Sequence, residues 1–219
     1  MDSGSPTSGI VVAGGSGSRF GVPKQFETVA GARLVDRAVD AVSAACDDVV
    51  LVLPAGVAWD GRPVAATVPG GPTRSASVRA GLDAVGGSAA VVVVHDAARP
   101  LAPPALSDAV IGAVRAGADA AVPGLPISDT VKRVNGDHVV ETIARDELVA
   151  VQTPQAFRTD ALRAAHTVSA EATDDAALVE AAGGRVVVVP GDPRNLKITT
   201  PADLVVAAAL LVAASEEQR

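Results

Sequence analysis

Short apolar runs recur along the chain, and longer stretches with helical spacing separate most of them. Several runs consist mainly of valine without polar alternation, which is typical of strands covered on both faces of a sheet. The predicted strands are Ile10–Ala13, Val49–Leu53, Val64–Val68, Ala89–Val94, Ala118–Val122 and Val186–Val189. The predicted helices are Ala32–Ala45, Ser75–Val85, Pro103–Ala116, Thr159–Val168, Asp174–Ala182 and Pro201–Ala214. This alternation predicts an α/β fold with a mostly parallel sheet and helices on both faces.

One segment departs from this pattern. Polar and apolar residues alternate through Thr130–Val134 and His138–Ile143, on either side of Asn135-Gly136-Asp137. An Asn-Gly pair between alternating stretches is a strong signal for a β-hairpin. Because an isolated two-stranded hairpin is only marginally stable in water, it needs a surface to pack on. We therefore predict a protruding arm at about residues 126–152. A partner subunit is one candidate for that surface.

Composition limits the class of protein. The 219 residues fit one large domain, and with 48% apolar but 2% aromatic residues the core must consist of Val, Ala and Leu. The net charge of −7 argues against a nucleic-acid-binding surface. The most apolar stretch, Leu204–Ala214, is too short to cross a bilayer, and the N-terminus lacks the features of a signal peptide. We expect a disordered lead at residues 1–9 and a single cytoplasmic domain over residues 10–219, without nucleic-acid or membrane partners.

A glycine-rich turn, Gly14-Gly-Ser-Gly-Ser-Arg19, follows the first predicted strand. Glycines let backbone N–H groups approach a phosphate closely, and a following helix N-terminus adds positive potential. A dinucleotide fingerprint is excluded because Phe20 stands where it needs glycine, and a Walker A loop is excluded because no Gly-Lys-Ser/Thr occurs. Arg19 and the nearby Lys24 suit the charge on a triphosphate that is attacked at its α-phosphorus. The alternative is a tight turn with solvated charges.

A second candidate site follows the valine run Val91–Val94, in the sequence His95-Asp96-Ala97-Ala98-Arg99. Open α/β sheets bind ligands at the carboxyl ends of their strands. Asp96 can hold Mg²⁺, which proteins bind through one or two carboxylates plus substrate phosphates, and Arg99 can clamp a phosphate. A structural Asp–Arg pair is the alternative. His95 has no second His or Cys nearby for a zinc site, and we interpret it as structural.

Together these motifs resemble the 2-C-methyl-D-erythritol 4-phosphate cytidylyltransferases of the non-mevalonate isoprenoid pathway. No single block is decisive, but eight occur in the family's order between about Ile10 and Leu204. The blocks are Ala13–Arg19, Pro23–Phe26, Gly70–Val78, Val94–Pro100, Ser128–Lys132, Thr153–Gln155, Thr173–Asp175 and Asn195–Thr199. The resemblance implies a Rossmann-like domain that transfers CMP from CTP to the methylerythritol phosphate and releases pyrophosphate. It also implies a homodimer in which the arm reaches into the neighbouring subunit.

The resemblance further implies a role for each matching residue. Arg19 and Lys24 would stabilise the transition state, Arg145 and Lys197 would aim the acceptor, and Asp96 would bind magnesium. The implied CTP-binding residues are Ala13, Gly14, Gly15, Gly17, Gly71, Arg74, Ser77 and Ala97, with the turn at Gly71–Arg74 and Ser77 reading the cytosine. The implied acceptor-binding residues are Arg99, Thr130, Arg145, Thr153, Thr173 and Lys197, of which the arm residues Thr130 and Arg145 would serve the partner's active site. No covalent intermediate or general base is needed, because the acceptor phosphate is largely ionised at pH 7.

The chain departs from the family's pattern at two places. Many members have Pro-Ala-Ala-Gly at Val12–Gly15, and Pro72 replaces a more usual acidic or polar residue in the turn that would read the base. A base contact through a backbone carbonyl is unaffected by Pro72, whereas a side-chain contact is lost. The competing interpretations are a ribitol 5-phosphate cytidylyltransferase, a sugar-1-phosphate or molybdopterin nucleotidyltransferase, and a catalytically silent nucleotide-binding regulator on the same fold.

Overall fold

The computed structural model describes residues 4–15, 23–168, 172 and 174–217. Its strands are β1 (Thr7–Val12), β2 (Thr28–Val29), β3 (Ala32–Arg33), β4 (Asp48–Leu53), β5 (Ala66–Pro69), β6 (Val91–Asp96), β7 (Ala120–Pro126), β8 (Val131–Asn135), β9 (His138–Ile143), β10 (Val149–Val151), β11 (Gln155–Arg158) and β12 (Val186–Pro190). Its helices are α1 (Leu34–Ser43), α2 (Arg74–Ala84), α3 (Pro104–Arg115), α4 (Thr159–Val168), α5 (Asp175–Ala181) and α6 (Pro201–Glu217). Single turns of 3₁₀ helix lie at Lys24–Phe26 and Arg145–Glu147.

The main sheet has the strand order β10-β7-β11-β6-β1-β4-β5, and β12 pairs with β7 as well. Strands β5, β4, β1 and β6 are parallel neighbours, and β12 runs parallel to β7. Strand β11 lies antiparallel between β6 and β7, and β10 is antiparallel to β7. The predicted mostly parallel sheet is therefore confirmed, and each predicted strand and helix is present. Sequence reasoning missed the antiparallel strands, since β10 and β11 have three and four residues, too few to show a periodicity.

Helices cover both faces of the sheet, as predicted. Ile10 belongs to the apolar cluster under α2, α4 and α5, whereas its neighbour Val11 belongs to the cluster under α1. Val91 and Val93 of β6 pack against α3 on that same second side. The side chains alternate because successive residues of a strand point to opposite faces. Both faces of β1 and β6 are buried, which explains why their sequences lack polar alternation.

The predicted disordered lead at residues 1–9 is wrong at its C-terminal end. Thr7 and Gly9 are the first and third residues of β1 and are buried. The Thr7 N–H donates to Oδ2 of Asp47 at 2.8 Å. A Cβ added to Gly9 would lie 2.2 Å from Cγ1 of Val42, so α1 packs directly on the strand here. Glycine stands at position 9 because the helix leaves no room for a side chain, and composition alone does not distinguish that from a flexible lead.

The predicted hairpin arm is present. Strands β8 and β9 pair antiparallel, and Asn135 stands opposite His138. The two-residue loop is therefore Gly136-Asp137, one position later than the predicted Asn-Gly turn. The reason is that Gly136 takes a φ of 61°, which a tight hairpin requires at its first loop position. The arm is largely exposed, and three valines, Val134, Val139 and Val140, are each more than half accessible.

Helix α6 packs beside β2. Its residues Leu204, Ala207 and Leu211 pack with Leu34 and Ile198 in a separate apolar cluster. This contact holds the segment that leads into α6 against the rest of the domain. Within the residues that the structure describes, none of the helices combines the length and apolar character needed to cross a membrane.

Candidate active site

The cleft lies where β1 and β6 end side by side. Val12 pairs with Asp96 at these ends. After β1 the chain forms β4 and β5 on one side of β1 and then returns to form β6 on its other side. Such a switch in strand order opens a crevice that binds ligands in open α/β sheets. A cavity of about 510 Å³ occupies this position. It is lined by Val12, Ala13, Gly14, Gly15, Lys24, Gln25, Gly71, Pro72, Thr73, Arg74, Ser77, Asp96, Ala97, Ala98 and Lys197.

Asp96 is the charged centre of the cleft. Its Oδ1 accepts a hydrogen bond from Nε of Arg74 at 3.1 Å, and its Oδ2 accepts one from Nζ of Lys197 at 2.7 Å. Burial on its own would raise the pKa of this carboxyl. The positive charges of Arg74 and Lys197 outweigh burial and hold the Asp96 pKa well below its usual range. Asp96 is therefore an anion at neutral pH.

His95 fixes the backbone around Asp96. It is fully buried; its Nε2 lies 3.0 Å from the carbonyl oxygen of Arg99 and its Nδ1 lies 3.1 Å from Oγ1 of Thr153. Burial lowers the pKa of His95 to about 4, so the ring is neutral. The tautomer with a proton on Nε2 satisfies both partners, and Thr153 Oγ1 in turn accepts the Asp96 N–H at 3.1 Å. These contacts agree with the interpretation of His95 as structural.

The glycine turn after β1 abuts the turn after β5. A Cβ added to Gly14 would lie 3.1 Å from Cα of Gly70, which is tighter than most Cβ contacts, so glycine favours this close approach. The buried Gln25 donates from Nε2 to the carbonyl of Gly15 at 2.9 Å. Lys24, next to it, donates from Nζ to the carbonyl of Ile198 at 2.7 Å. Lys24 is thereby placed at the cavity wall, between the glycine turn and the segment that carries Lys197.

A second, smaller cavity of about 190 Å³ adjoins the first. Three side chains, Arg74, Asp96 and Lys197, line both cavities. The other lining residues of the small cavity are Arg99, Val151, Gln152, Thr153, Gln155 and Asp174. Arg99 donates to the carbonyls of Asn195 at 2.8 Å and Val151 at 3.2 Å. Two ligands bound in the two cavities would meet at the shared cations.

Comparison with known proteins decides the family. The sequence model of the 2-C-methyl-D-erythritol 4-phosphate cytidylyltransferases (IspD) matches residues 8–213. The chain belongs to the 2-C-methyl-D-erythritol 4-phosphate cytidylyltransferase family. It is 47% identical over 215 residues to the cytidylyltransferase of Nocardia farcinica, with 92% of each chain covered. A crystal structure of the Thermus thermophilus cytidylyltransferase superposes with a TM-score of 0.81 at 36% identity, covering 92% of this chain and 97% of that one.

Some relatives of this cytidylyltransferase family are longer. The chain is 47% identical to the bifunctional enzyme IspD/IspF of Clavibacter michiganensis, of which it covers 52% while 89% of its own length is matched. The bifunctional IspDF structure from Campylobacter jejuni has a TM-score of 0.78 at 28% identity, and 54% of that protein is covered. The chain thus spans about half the length of these bifunctional relatives.

The structure brings together most residues to which the cytidylyltransferase resemblance gives a role. All the implied CTP-binding residues that it describes line the larger cavity, and Arg99, Thr153 and Lys197 line the smaller one. Gly17, Arg19 and Thr173 lie outside the described residues. The implied CTP-binding residues in the larger cavity are Ala13, Gly14, Gly15, Gly71, Arg74, Ser77 and Ala97.

Thr130 and Arg145 line neither cavity of their own chain. Thr130 is exposed directly before β8, and Arg145 is exposed in the 3₁₀ turn after β9, where Nη1 donates to the carbonyl of Ser128. Both therefore lie at the base of the arm.

Sequence reasoning missed two features of the site. Arg74 was expected to take part in reading the base, but its guanidinium points inward, with Nη1 at 2.6 Å from Oδ2 of Asp175 and Nε on Asp96. The turn itself is closed by Ser77, whose Oγ accepts the Gly71 N–H at 3.1 Å. The buried Gln25 was the second omission. In the sequence, Asp175 and Gln25 are marked only by their places in the Thr-Asp-Asp and Pro-Lys-Gln-Phe motifs.

The residues of the cleft fit a magnesium ion that arrives with a triphosphate. Within the described part of the chain, no group of three or more His, Cys, Asp and Glu side chains could hold a metal. Asp96 is a single ionised carboxylate facing both cavities. Mg²⁺ is commonly held by one or two carboxylates plus substrate phosphates and water. One carboxylate therefore suffices if nucleotide oxygens complete the coordination.

Proposed function

We propose that this chain transfers CMP from CTP to the phosphate of 2-C-methyl-D-erythritol 4-phosphate and releases pyrophosphate, as the name of its family describes. The reaction belongs to isoprenoid biosynthesis. One observation carries the proposal: Arg74, Asp96 and Lys197 line two adjoining cavities, one beside a glycine turn that suits a triphosphate and one lined by Arg99. Two anionic substrates can thus meet at the cations between them.

The chemistry is an in-line displacement at the α-phosphorus of CTP. An oxygen of the acceptor phosphate forms the new P–O bond, the bond from the α-phosphorus to the bridging oxygen of the β-phosphate breaks, and pyrophosphate leaves with that electron pair. The acceptor phosphate is already an anion near neutral pH, so no side chain has to remove a proton. Catalysis then rests on positioning and on stabilisation of the developing charge.

The cations of the cleft supply that stabilisation in our proposal. Lys24 Nζ stands beside the glycine turn, where the triphosphate would lie, and Arg19 would act with it. Lys197 has a side chain that is 42% exposed, so it can turn from Asp96 toward an acceptor phosphate, which Arg99 and Thr153 would also contact. Asp96 would hold Mg²⁺, which when bound offsets part of the triphosphate charge.

The arm supports the proposal of a homodimer. Thr130 and Arg145 lie away from the cavities of their own chain, and the exposed valines of the arm give it an apolar surface that a second subunit can cover. In this arrangement Arg145 of each chain would complete the acceptor site of the other chain. We further propose that the enzyme acts in the cytoplasm, with CTP and a small phosphorylated polyol as its ligands.

Initial rates with alternative acceptors test the proposed reaction. Purified protein with CTP and Mg²⁺ should release pyrophosphate when 2-C-methyl-D-erythritol 4-phosphate is present, and far more slowly with ribitol 5-phosphate or a sugar 1-phosphate. Faster release with ribitol 5-phosphate would assign the chain to that relative of the family. CTP binding without release of pyrophosphate for any of these acceptors would favour a catalytically silent regulator.

A further inference from the structure

One guanidinium bridges two carboxylates at the wall between the cavities. Arg74 Nε lies 3.1 Å from Oδ1 of Asp96, and Arg74 Nη1 lies 2.6 Å from Oδ2 of Asp175. Arg74 is the first residue of α2, and Asp175 is the first residue of α5. The Asp175 side chain is 0% exposed and does not line either cavity. Asp175 therefore acts on the site through Arg74 and not by touching a ligand.

The second oxygen of Asp175 faces a buried histidine. His166 of α4 places Nε2 at 3.2 Å from Oδ1 of Asp175, and the His166 side chain is only 3% exposed. These two atoms lack the geometry of a hydrogen bond, so the Arg74 guanidinium is the group that holds Asp175. Truncating one partner of a buried ion pair leaves an uncompensated charge, so Arg74 and Asp175 form one unit.

A second link joins the start of α2 to the segment that precedes α5. Ser75 Oγ donates to the carbonyl of Ala172 at 3.4 Å and accepts the Ala172 N–H at 3.3 Å. The start of α2 adjoins the turn that lines the larger cavity, and the start of α5 follows Asp174, which lines the smaller one. The Arg74–Asp175 pair thus ties a CTP-side segment to an acceptor-side segment.

We propose that Asp175 is a positioning residue that holds Arg74 against Asp96 and keeps the two substrate cavities aligned. The inference rests on the proposed cytidylyl transfer. Without the Asp175 charge, Arg74 keeps only its contact with Asp96 and is free to shift along that side chain. The shift displaces the Asp96 carboxylate at the wall between the two cavities. A misplacement of about 1 Å can reduce turnover on the order of 10²-fold.

The test is a double-variant cycle with Asp175→Asn and Arg74→Lys. Asparagine keeps the shape of aspartate but not its charge, and lysine keeps the charge of Arg74 but has one nitrogen to share between two carboxylates. We expect Asp175→Asn to lower kcat/KM for both substrates on the order of 10²-fold. In the double variant the loss should be no larger than in Arg74→Lys alone, because Asp175 acts through Arg74.

A matched control is Asp119→Asn, which removes the carboxylate that Arg158 Nη1 contacts at 2.9 Å outside both cavities. This control should keep near-native kcat/KM. Losses that multiply in the double variant, or a folded Asp175→Asn protein with near-native kcat/KM, would overturn the inference. If Asp175→Asn does not fold, Arg74→Lys alone tests the inference. Near-native turnover by folded Arg74→Lys protein would then contradict the inference. Wild-type turnover is measured first, so that a failure of the proposed function is seen separately.

Discussion

Nζ of Lys197 lies 2.7 Å from Oδ2 of Asp96, although 101 positions separate the two residues in the chain. This contact brings the segment before α6 against the end of β6. In the proposed reaction it would place an acceptor-side cation on the carboxylate that would hold magnesium, and the two substrates would share one charged junction.

Replacement of Lys24 by alanine should slow turnover without unfolding the protein. Lys24 Nζ lies at the wall of the larger cavity, where it would stabilise charge on the triphosphate. Loss of one well-placed donor to a developing charge reduces kcat by about 10²–10³-fold. Steady-state kinetics with circular dichroism as a check on folding measure this. Arg62→Ala, which removes an exposed cation paired with Asp40, is the control and should be near native. Near-native turnover by Lys24→Ala would remove Lys24 from the mechanism.

Two inactive variants should complement each other if the arm serves a neighbouring subunit. Lys24→Ala disables the cavity of its own chain, whereas Arg145→Ala disables an arm. A mixed dimer then contains one intact site. Random exchange of subunits should restore about a quarter of the wild-type activity. The measurement is turnover after the two proteins are unfolded and refolded together, with each refolded alone as the control. A mixture no more active than its components would show that the arm residue does not act across subunits.

The buried His95 should make the folded protein less stable as the pH falls. Its pKa is lowered to about 4 by burial, so between about pH 6.5 and pH 4 the unfolded chain binds a proton that the folded chain does not. The free energy of unfolding should therefore fall toward pH 4, by a total on the order of 3 kcal/mol from this group. The lowered pKa of Asp96 adds a loss only below about pH 4.

Urea unfolding at pH 7 and pH 5 measures this slope. His95→Asn should be less stable at pH 7 but should lose less stability between the two pH values than the wild type. The other histidines contribute equally to both proteins and cancel in the comparison. Equal slopes in the two proteins would mean that folding does not lower the pKa of His95.

The elements of the fold could be predicted because their signals are local. The valine run of β6 is followed by His95 and Asp96, so both the buried strand and the candidate metal ligand can be predicted from one segment of sequence. The Arg74–Asp175 pair could not be predicted in this way, because it depends on how α2 and α5 pack. Gly9 shows the opposite error, in which disorder was predicted for a residue of a buried strand. A glycine packed under a helix cannot be distinguished by its identity alone from a glycine in a flexible lead.

Gly14→Ala should weaken CTP binding in a protein that still folds. The new Cβ would lie 3.1 Å from Cα of Gly70 and 3.4 Å from Oγ of Ser77, so the two turns of the larger cavity would move apart. Overpacking of this kind costs about 1–3 kcal/mol. If about half of that cost falls on binding, KM for CTP rises by about 2- to 13-fold. Gly86→Ala, where a Cβ meets nothing within 4 Å, is the control. An unchanged KM for CTP in Gly14→Ala would argue against a triphosphate at this turn.

The fate of the acceptor phosphate tests the central claim most directly. 2-C-methyl-D-erythritol 4-phosphate labelled with ¹⁸O in its phosphate is incubated with the wild-type protein, CTP and Mg²⁺, and the products are analysed by mass spectrometry. The account predicts CDP-methylerythritol that retains all of the label, together with an equal amount of unlabelled pyrophosphate. Label in the pyrophosphate, or consumption of CTP without a labelled cytidylyl product, would contradict it.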